Sequence, residues 1–371
     1  MDVEREIAGF SLPFAAGTAF IFLAGISDND MLTANAAVSV TAVSACLIPL
    51  MHGSWKKHGT WFSWGMICTL AFCLGCFCGA CGKILEISVT ESIISSHACK
   101  LGARMQELAD AVPFENHSTN ALIKALLTGE RSDIPREVTA SFRKSGASHI
   151  LALSGLHLGI IYGIVRSLTS LSGNGKHAGT IRSIIIVSIC LIYTLATGAG
   201  ASIVRAMIFI IINEAARMAH RYHSTGSVLL ASLVVQLTIS PSAINSVGFQ
   251  LSYAAMAGIA FIFPWLKALL PGSPFDDRGF TKGMRWIWNS ASMSIACQIT
   301  TAPLAWYHFN SFPIHFLLTN LIALPLTGLI IPLSLATVTL NAFGICPALL
   351  IKATEFSITS LTNALEVIAA M

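Results

Sequence analysis

Between Ser148 and Gly159 the chain reads SHILALSGLHLG, with histidines, serines and glycines set among leucines and isoleucines. Ser154 and His157 stand at i and i+3, so on a helix they share a face and can hydrogen-bond. A hydroxyl beside an imidazole can serve nucleophilic hydrolysis, or it can line a polar path through a membrane. His149 and His157 are eight residues apart, about 12 Å along a helix and roughly 80° around it. On a continuous helix they cannot share one metal ion. Gly155 and Gly159 are four apart, the small-xxx-small spacing that lets another helix come close. The stretch therefore reads as a helix with one narrow polar face turned inward.

Other polar residues recur in equally apolar context. Arg205 lies in TGAGASIVRAMIF. An arginine at the centre of a membrane helix costs about 2.5–3.5 kcal/mol, but this one lies near a helix end, where it can snorkel to the interface. Glu214, nine residues on, falls on the opposite face and pairs better with Arg217. Arg205 is thus left for a partner elsewhere or a passing anion. Gln250 and Ser252 in VGFQLSYAAMAG, Gln298 in SIACQITTAPL and Asn320 in FLLTNLIALPL complete the set. Singly, each serves as helix–helix glue as readily as a site. Together they predict a bundle whose interior is polar but weakly charged.

The elements that must carry these residues follow from composition. Of 371 residues, 54% are hydrophobic and only 11% charged, against about 25% charged in soluble domains, and the mean hydropathy is +0.71. Apolar stretches long enough to cross a hydrocarbon core of about 30 Å recur near 9–26, 33–51, 61–82, 149–171, 183–199, 202–217, 225–240, 247–266, 286–307, 314–340 and 345–369. The expected fold is an all-α polytopic membrane protein, a bundle of ten or eleven transmembrane helices. Pro325 and Pro332 predict a broken or re-entrant helix in the long 314–340 stretch.

Charge sets the expected orientation. Alternate short loops hold Lys56 and Lys57, then Lys176 and Arg182, then Arg217 and Arg221, then Lys267, Arg278, Lys282 and Arg285. The intervening loops at 27–32, 198–201, 241–246 and 308–313 hold no lysine or arginine. The positive-inside rule places the basic set and the N-terminus in the cytoplasm. The net charge of +4 is then mostly topology. Met-Asp-Val-Glu-Arg-Glu lacks the basic start of a signal peptide, so the first span is expected to be retained.

Three regions result: N-terminal transmembrane helices over 1–82, a short extracytoplasmic segment over 83–148, and a transmembrane channel region over 149–371. In the middle region Ile94, Ala98, Leu101, Met105, Leu108 and Val112 make one apolar stripe. That helix, capped by Thr90 with Glu91 near its positive end, should lie on the membrane surface or over the bundle. Further helices follow Ser118 and Pro135, the last stopping at Gly146, and only Lys83 to Thr90 looks strand-like. The spacing of Cys73, Cys76, Cys78 and Cys81 matches no zinc or iron–sulfur pattern, so these four read as small packing residues. Cys81 and Cys99 could pair in an oxidising compartment. No P-loop and no zinc-hydrolase run is present, and neither a metal nor a cofactor is expected. Any driving force must come from a partner or an ion gradient.

Five stretches in this order are familiar. SFRKSGASHILALSGLHLGII resembles the signature segment of the ComEC competence proteins, roughly G-x-x-H-L-L-A-x-S-G-L-H. TGAGASIVRAMIF, SPSAINSVGFQLSYAAMAGI and TAPLAWYHFNSFPIHFLLTNLIALPL resemble later parts of the same domain, and ALLTGERSDIP resembles the G-[DE]-R run before it. The likeness covers about 120–345. It implies a channel in the bacterial cytoplasmic membrane that passes single-stranded DNA inward during natural transformation. His149, Ser154, Gly155, His157, Arg205, Gln250 and Asn320 become its family-like polar set, with Ser252 and Gln298 added from the residue reading and none of them catalytic. Full-length family members carry an OB-fold-like domain before the signature and a metallo-β-lactamase-like nuclease domain after the membrane part. Here 83–148 is shorter and more helical than the first, and no second follows, so a short form is expected. The implied partners are single-stranded DNA, membrane lipid, a separate extracytoplasmic DNA receptor and a cytoplasmic ATP-driven motor, with a homo-oligomer left open.

The physics suits such a channel. A negative-inside potential opposes each entering nucleotide charge by about 2.3 kcal/mol per 100 mV. Release requires weak binding, which one arginine among hydroxyls and amides supplies better than a strongly basic groove. Two rivals stand beside it. A small-solute secondary transporter also uses broken helices and sparse charges, but the two halves show no repeat. An intramembrane serine hydrolase would use Ser154, but Ala-Leu-Ser-Gly departs from the G-x-S-G such proteases show, and a base on the same helix is awkwardly placed for attack.

Overall fold

A computed structural model describes residues 2–23, 60–85, 93–170, 178–219, 224–270, 279–310 and 315–371. The expected span at 33–51, the Thr90 cap and Lys56, Lys57, Lys176, Arg221 and Arg278 lie outside the described residues, as do the side chains of Cys99 and Lys282. Among the described residues the structure is helical throughout, without a strand. The chain is an all-α polytopic membrane protein.

In chain order the helices begin with α1 (Asp2–Leu23), α2 (Thr60–Leu85), α3 (Ile93–Asp110), α4 (His117–Thr128), α5 (Arg136–Lys144) and α6 (Ser148–Leu151). Then come α7 (Gly155–Ser170), α8 (Ala178–Ala196), α9 (Ala201–Met218) and α10 (Thr225–Ile239). A 3-10 turn (Pro241–Asn245) leads to α11 (Val247–Ala257), a π segment (Gly258–Ile262) and α12 (Phe263–Ala268). Last are α13 (Gly279–Phe309), α14 (Phe316–Ala342) and α15 (Ala348–Ala370). Among the described residues four stretches are long and apolar enough to cross a bilayer: Glu6–Leu23, Ala178–Ala196, Val247–Ala268 and Phe316–Ala342. On α13, Trp286 and Trp306 are 52% and 59% exposed. They are twenty residues apart, about 30 Å of helix, the thickness across which aromatic belts anchor a span.

The chain forms two compact units. The first comprises 1–92 and 219–253. In it α1 and α2 cross at glycines, where a Cβ on Gly17 would stand 2.0 Å from the carbonyl oxygen of Phe72, and one on Gly75 2.0 Å from that of Phe14. Only residues without a side chain permit that approach. Cys73 and Cys76 are buried on α2, in keeping with a packing role.

The second unit comprises 93–218 and 254–371. Its centre is α4, buried at every position from Thr119 to Thr128. Asn116 caps it by accepting the Ser118 N–H, and Gly129 ends it in the left-handed region at φ 84°. Leu122, Leu126, Phe142, Ile150, Ile330, Ile331 and Leu361 share one core, so α4 and α5 pack with α14 and α15. α3 lies over the bundle: a Cβ on Gly102 would meet the Ala196 carbonyl oxygen of α8 at 2.5 Å. Lys83 to Leu85 close α2 as helix, where the sequence looked strand-like, because the helical run from Thr60 carries through them. Pro325 and Pro332 do not break α14, which runs unbroken for 27 residues.

Candidate functional site at a broken helix

The break comes instead inside SHILALSGLHLG, where α6 ends at Leu151, Ala152 is extended at φ −78° and ψ 127°, and α7 starts at Gly155. The sequence expected one continuous helix here. A capping arrangement replaces it. Ser154 Oγ accepts the Leu156 N–H at 3.2 Å, and His157 Nδ1 accepts the Ser154 N–H at 3.2 Å. Serine at the cap with an acceptor three residues on is a capping box, with imidazole in place of the usual glutamate or glutamine. Ser154 Oγ also lies 3.1 Å from Nδ1.

This pairing fixes the imidazole. With Nδ1 accepting, the neutral ring carries its proton on Nε2. His157 is fully buried, and Nε2 has no hydrogen-bond partner among the described residues. A buried, unsatisfied donor is uncommon and points to strain, function or an absent ligand.

Elements around the break hold it in place. Leu153 packs on Gly129, where an added Cβ would lie 2.6 Å from Leu153 Cδ1. That joins the G-[DE]-R run directly to the signature. Gly155 faces Ala206 of α9 at 3.4 Å from an added Cβ, whereas Gly159 has no such neighbour. Arg205, next to Ala206, is buried. Asn320 is the fifth residue of α14, beside Thr319, whose Oγ1 donates to the Ser145 carbonyl at 2.7 Å. Asn320 Oδ1 is a second buried atom without a partner among the described residues. α14 packs against α7 and against α13, which carries Gln298, half-buried.

His149 is exposed, and its Nδ1 lies 3.1 Å from the Gly146 carbonyl oxygen. Gln250 and Ser252 belong to the first unit, where Gln250 Nε2 donates to the Ile244 carbonyl at 3.0 Å. The structure thus joins Ser154 to His157 and sets Gly155 against the helix of Arg205.

Two polar clusters reach further than the sequence reading. Glu214 does pair with Arg217, at 3.7 Å, but its hydrogen bonds come from Tyr162 at 2.7 Å and Ser183 at 2.6 Å. Tyr162 and Ser183 are 52 and 31 residues away, beyond any local pattern. Lys124, buried in α4, bridges Asp110 at 2.9 Å and Asp133. The hydrogen bond to Asp133 raises the Lys124 pKa, and the same bond lowers that of Asp133. The Ser132 backbone N–H lowers that of Glu130. Among the described residues no cluster of three or more His, Cys, Asp or Glu could hold a metal ion.

Comparison with known proteins places these motifs. The Competence protein family matches residues 126–371, from the last turn of α4 to the C-terminal residue. The chain belongs to that family. ComE operon protein 3 of Bacillus subtilis is 27% identical over 224 residues, 60% of this chain and 26% of that protein. Recombination protein 2 of Haemophilus influenzae is 25% identical over 234 residues, 61% of this chain and 29% of that protein. An uncharacterized protein, YcaI, of Escherichia coli is 27% identical over 271 residues, 71% of this chain and 34% of that protein. The chain spans about a quarter to a third of the length of these relatives. No solved structure matches it.

Proposed function

We propose that this chain forms the path by which single-stranded DNA crosses the bacterial cytoplasmic membrane during natural transformation, with its N-terminus in the cytoplasm. Membership of the Competence protein family supports the reading, but the observation that carries it is the helix break with its buried, unsatisfied imidazole. Irregular backbone at membrane depth is tolerated only where protein buries it or a cavity receives it. Arg205, Asn320 and Gln298 extend the polar set on helices of the same unit, and Gln250 and Ser252 belong to the other. An extracytoplasmic DNA receptor and a cytoplasmic ATP-driven motor are the implied partners.

One observation favours a second reading, an intramembrane hydrolase: Ser154 Oγ is 3.1 Å from a histidine nitrogen. That nitrogen already accepts the backbone N–H of Ser154, and Oγ caps α7. The acceptor nitrogen has a single lone pair, so while it holds the backbone N–H it is a poor base for Ser154. Labelling of Ser154 by a fluorophosphonate would establish the hydrolase.

The test of the channel is transformation in the source organism with the intact gene, a deletion and Arg205→Ala at equal expression. Nuclease-protected DNA and cytoplasmic DNA are scored separately. The expected result is loss of cytoplasmic arrival with retained outer uptake on deletion, and reduced arrival for Arg205→Ala. A deletion that changes neither quantity overturns the proposal, and small-solute uptake in vesicles would then point to a transporter.

A further inference from the structure

At one end of the α7–α9 packet a buried carboxylate organises two arginines. Arg166 lies one turn before the end of α7, Ser183 near the start of α8, and Glu214 and Arg217 in the last turns of α9. The Glu214 side chain is only 4% exposed, whereas those of Arg166 and Arg217 are 43% and 48% exposed. Glu214 accepts hydrogen bonds from Tyr162 and Ser183. The nearest nitrogen of each arginine, Nη1, stands 3.7 Å from the same Glu214 oxygen.

That distance matters. It is too long for a hydrogen bond but close enough for attraction, so the carboxylate gathers the guanidiniums without engaging their N–H groups. Arg166 Nη1 also donates to Tyr162 Oη at 2.9 Å, which orients it. Each guanidinium has five N–H donors. Among the described residues Arg166 makes this one side-chain hydrogen bond and Arg217 none. The two Nη1 atoms, sharing one oxygen neighbour, lie within about twice 3.7 Å of each other, so one phosphate group can reach both. The local charge is two positive against one negative.

We propose that Arg166 and Arg217, positioned by Glu214 and Tyr162, bind the phosphate of an anionic glycerophospholipid headgroup. Two observations favour lipid over nucleic acid. The packet interior is filled by Leu158, Ile186, Cys190, Ile203, Met207 and Ile210, leaving no path for a strand at its centre. α8, at whose start the arginines gather, turns Ile181, Ile184, Ile185 and Ile192 outward, an apolar surface suited to acyl chains. Basic pockets between membrane helices are a known setting for anionic headgroups. The site does not depend on the proposed DNA path.

The test is native mass spectrometry of the purified full chain in detergent with equimolar phosphatidylglycerol and phosphatidylcholine. The intact chain should retain phosphatidylglycerol preferentially. Each arginine near the surface contributes about fivefold, so Arg166→Gln with Arg217→Gln should cut the preference about 25-fold. Arg136→Gln with Arg143→Gln, on exposed positions of α5, should leave it unchanged. Tyr162→Phe, which frees Arg166, should lower it while leaving stoichiometry intact. Where the glutamine pair is not monodisperse, the lysine pair is read instead. It keeps the charges but loses the planar fork and should lower the preference by less than the glutamine pair does. Equal retention of both lipids overturns the site, as does unchanged preference in both arginine pairs. Displacement of the lipid by inorganic phosphate reassigns the site to free anions, and displacement by a single-stranded oligonucleotide to DNA. Either result overturns the lipid assignment.

Discussion

α14 contains two prolines and does not break; SHILALSGLHLG contains none and does. In α14, Pro325 and Pro332 each remove one backbone hydrogen bond, to the carbonyls of Leu321 and Gly328. Opening the helix further would leave more backbone groups unpaired in an apolar surround, at several kcal/mol each. Thr319, Ala323, Thr327, Ile330, Ile331 and Ser334 are buried along it, so its packing holds the helix through both prolines. At Ser154 the balance reverses. The N–H groups freed by the break find Ser154 Oγ and His157 Nδ1 within 3.2 Å. A helix breaks where side chains can take over its backbone hydrogen bonds, rather than where a breaker residue stands.

The largest test of this contrast is His157→Leu, which removes the acceptor for the Ser154 N–H. We expect a loss of about 1–3 kcal/mol, read as a lower melting temperature in detergent. His157→Gln, which can complete the capping box, should recover most of it; equal losses for both would show that packing rather than capping holds the break. Next is Gly129→Ala. It meets a left-handed φ of 84° and the Leu153 side chain together, and should cost about 1–3 kcal/mol. An unchanged melting temperature would show that the turn is not fixed by the signature behind it.

A smaller effect concerns the Lys124 bridges. The Asp133 pKa is lowered in the fold, so the stability it contributes is complete above the unfolded value near 4. It is lost as pH falls through the depressed folded value. The Lys124 pKa is raised, so its contribution is complete below about 10.4 and is lost as pH rises through the folded value. Amide exchange at Ile134 should therefore be flat from about pH 5 to 9, after correction for intrinsic rates, and quicken below pH 4. Asp133→Asn should shrink that acid limb to the part that Glu130 contributes. The smallest expected effect is that of Pro325→Ala with Pro332→Ala. Restoring two backbone bonds in a helix already continuous should not destabilise it, and the melting temperature should hold or rise. A large destabilisation would mean that the prolines shape α14 after all.

Much of the architecture was legible in the residues. The scarcity of charge, the recurring apolar stretches and the glycine spacing required a polytopic helical bundle, because hydrocarbon leaves no other partner for the backbone. The i, i+3 relation joined Ser154 to His157, since three residues span one helical turn whether or not the helix continues before it. Local spacing also paired Glu214 with Arg217. What spacing could not reach was everything that depends on distant segments meeting. Tyr162 and Ser183 close on Glu214, Gly129 receives Leu153, and Asp110 reaches Lys124 only after packing. Tertiary structure likewise decided that α4 would be buried from Thr119 to Thr128 and α14 unbroken. Local propensities are worth fractions of a kcal/mol per residue, whereas an unpaired buried backbone group costs several. The contacts around each segment therefore decide.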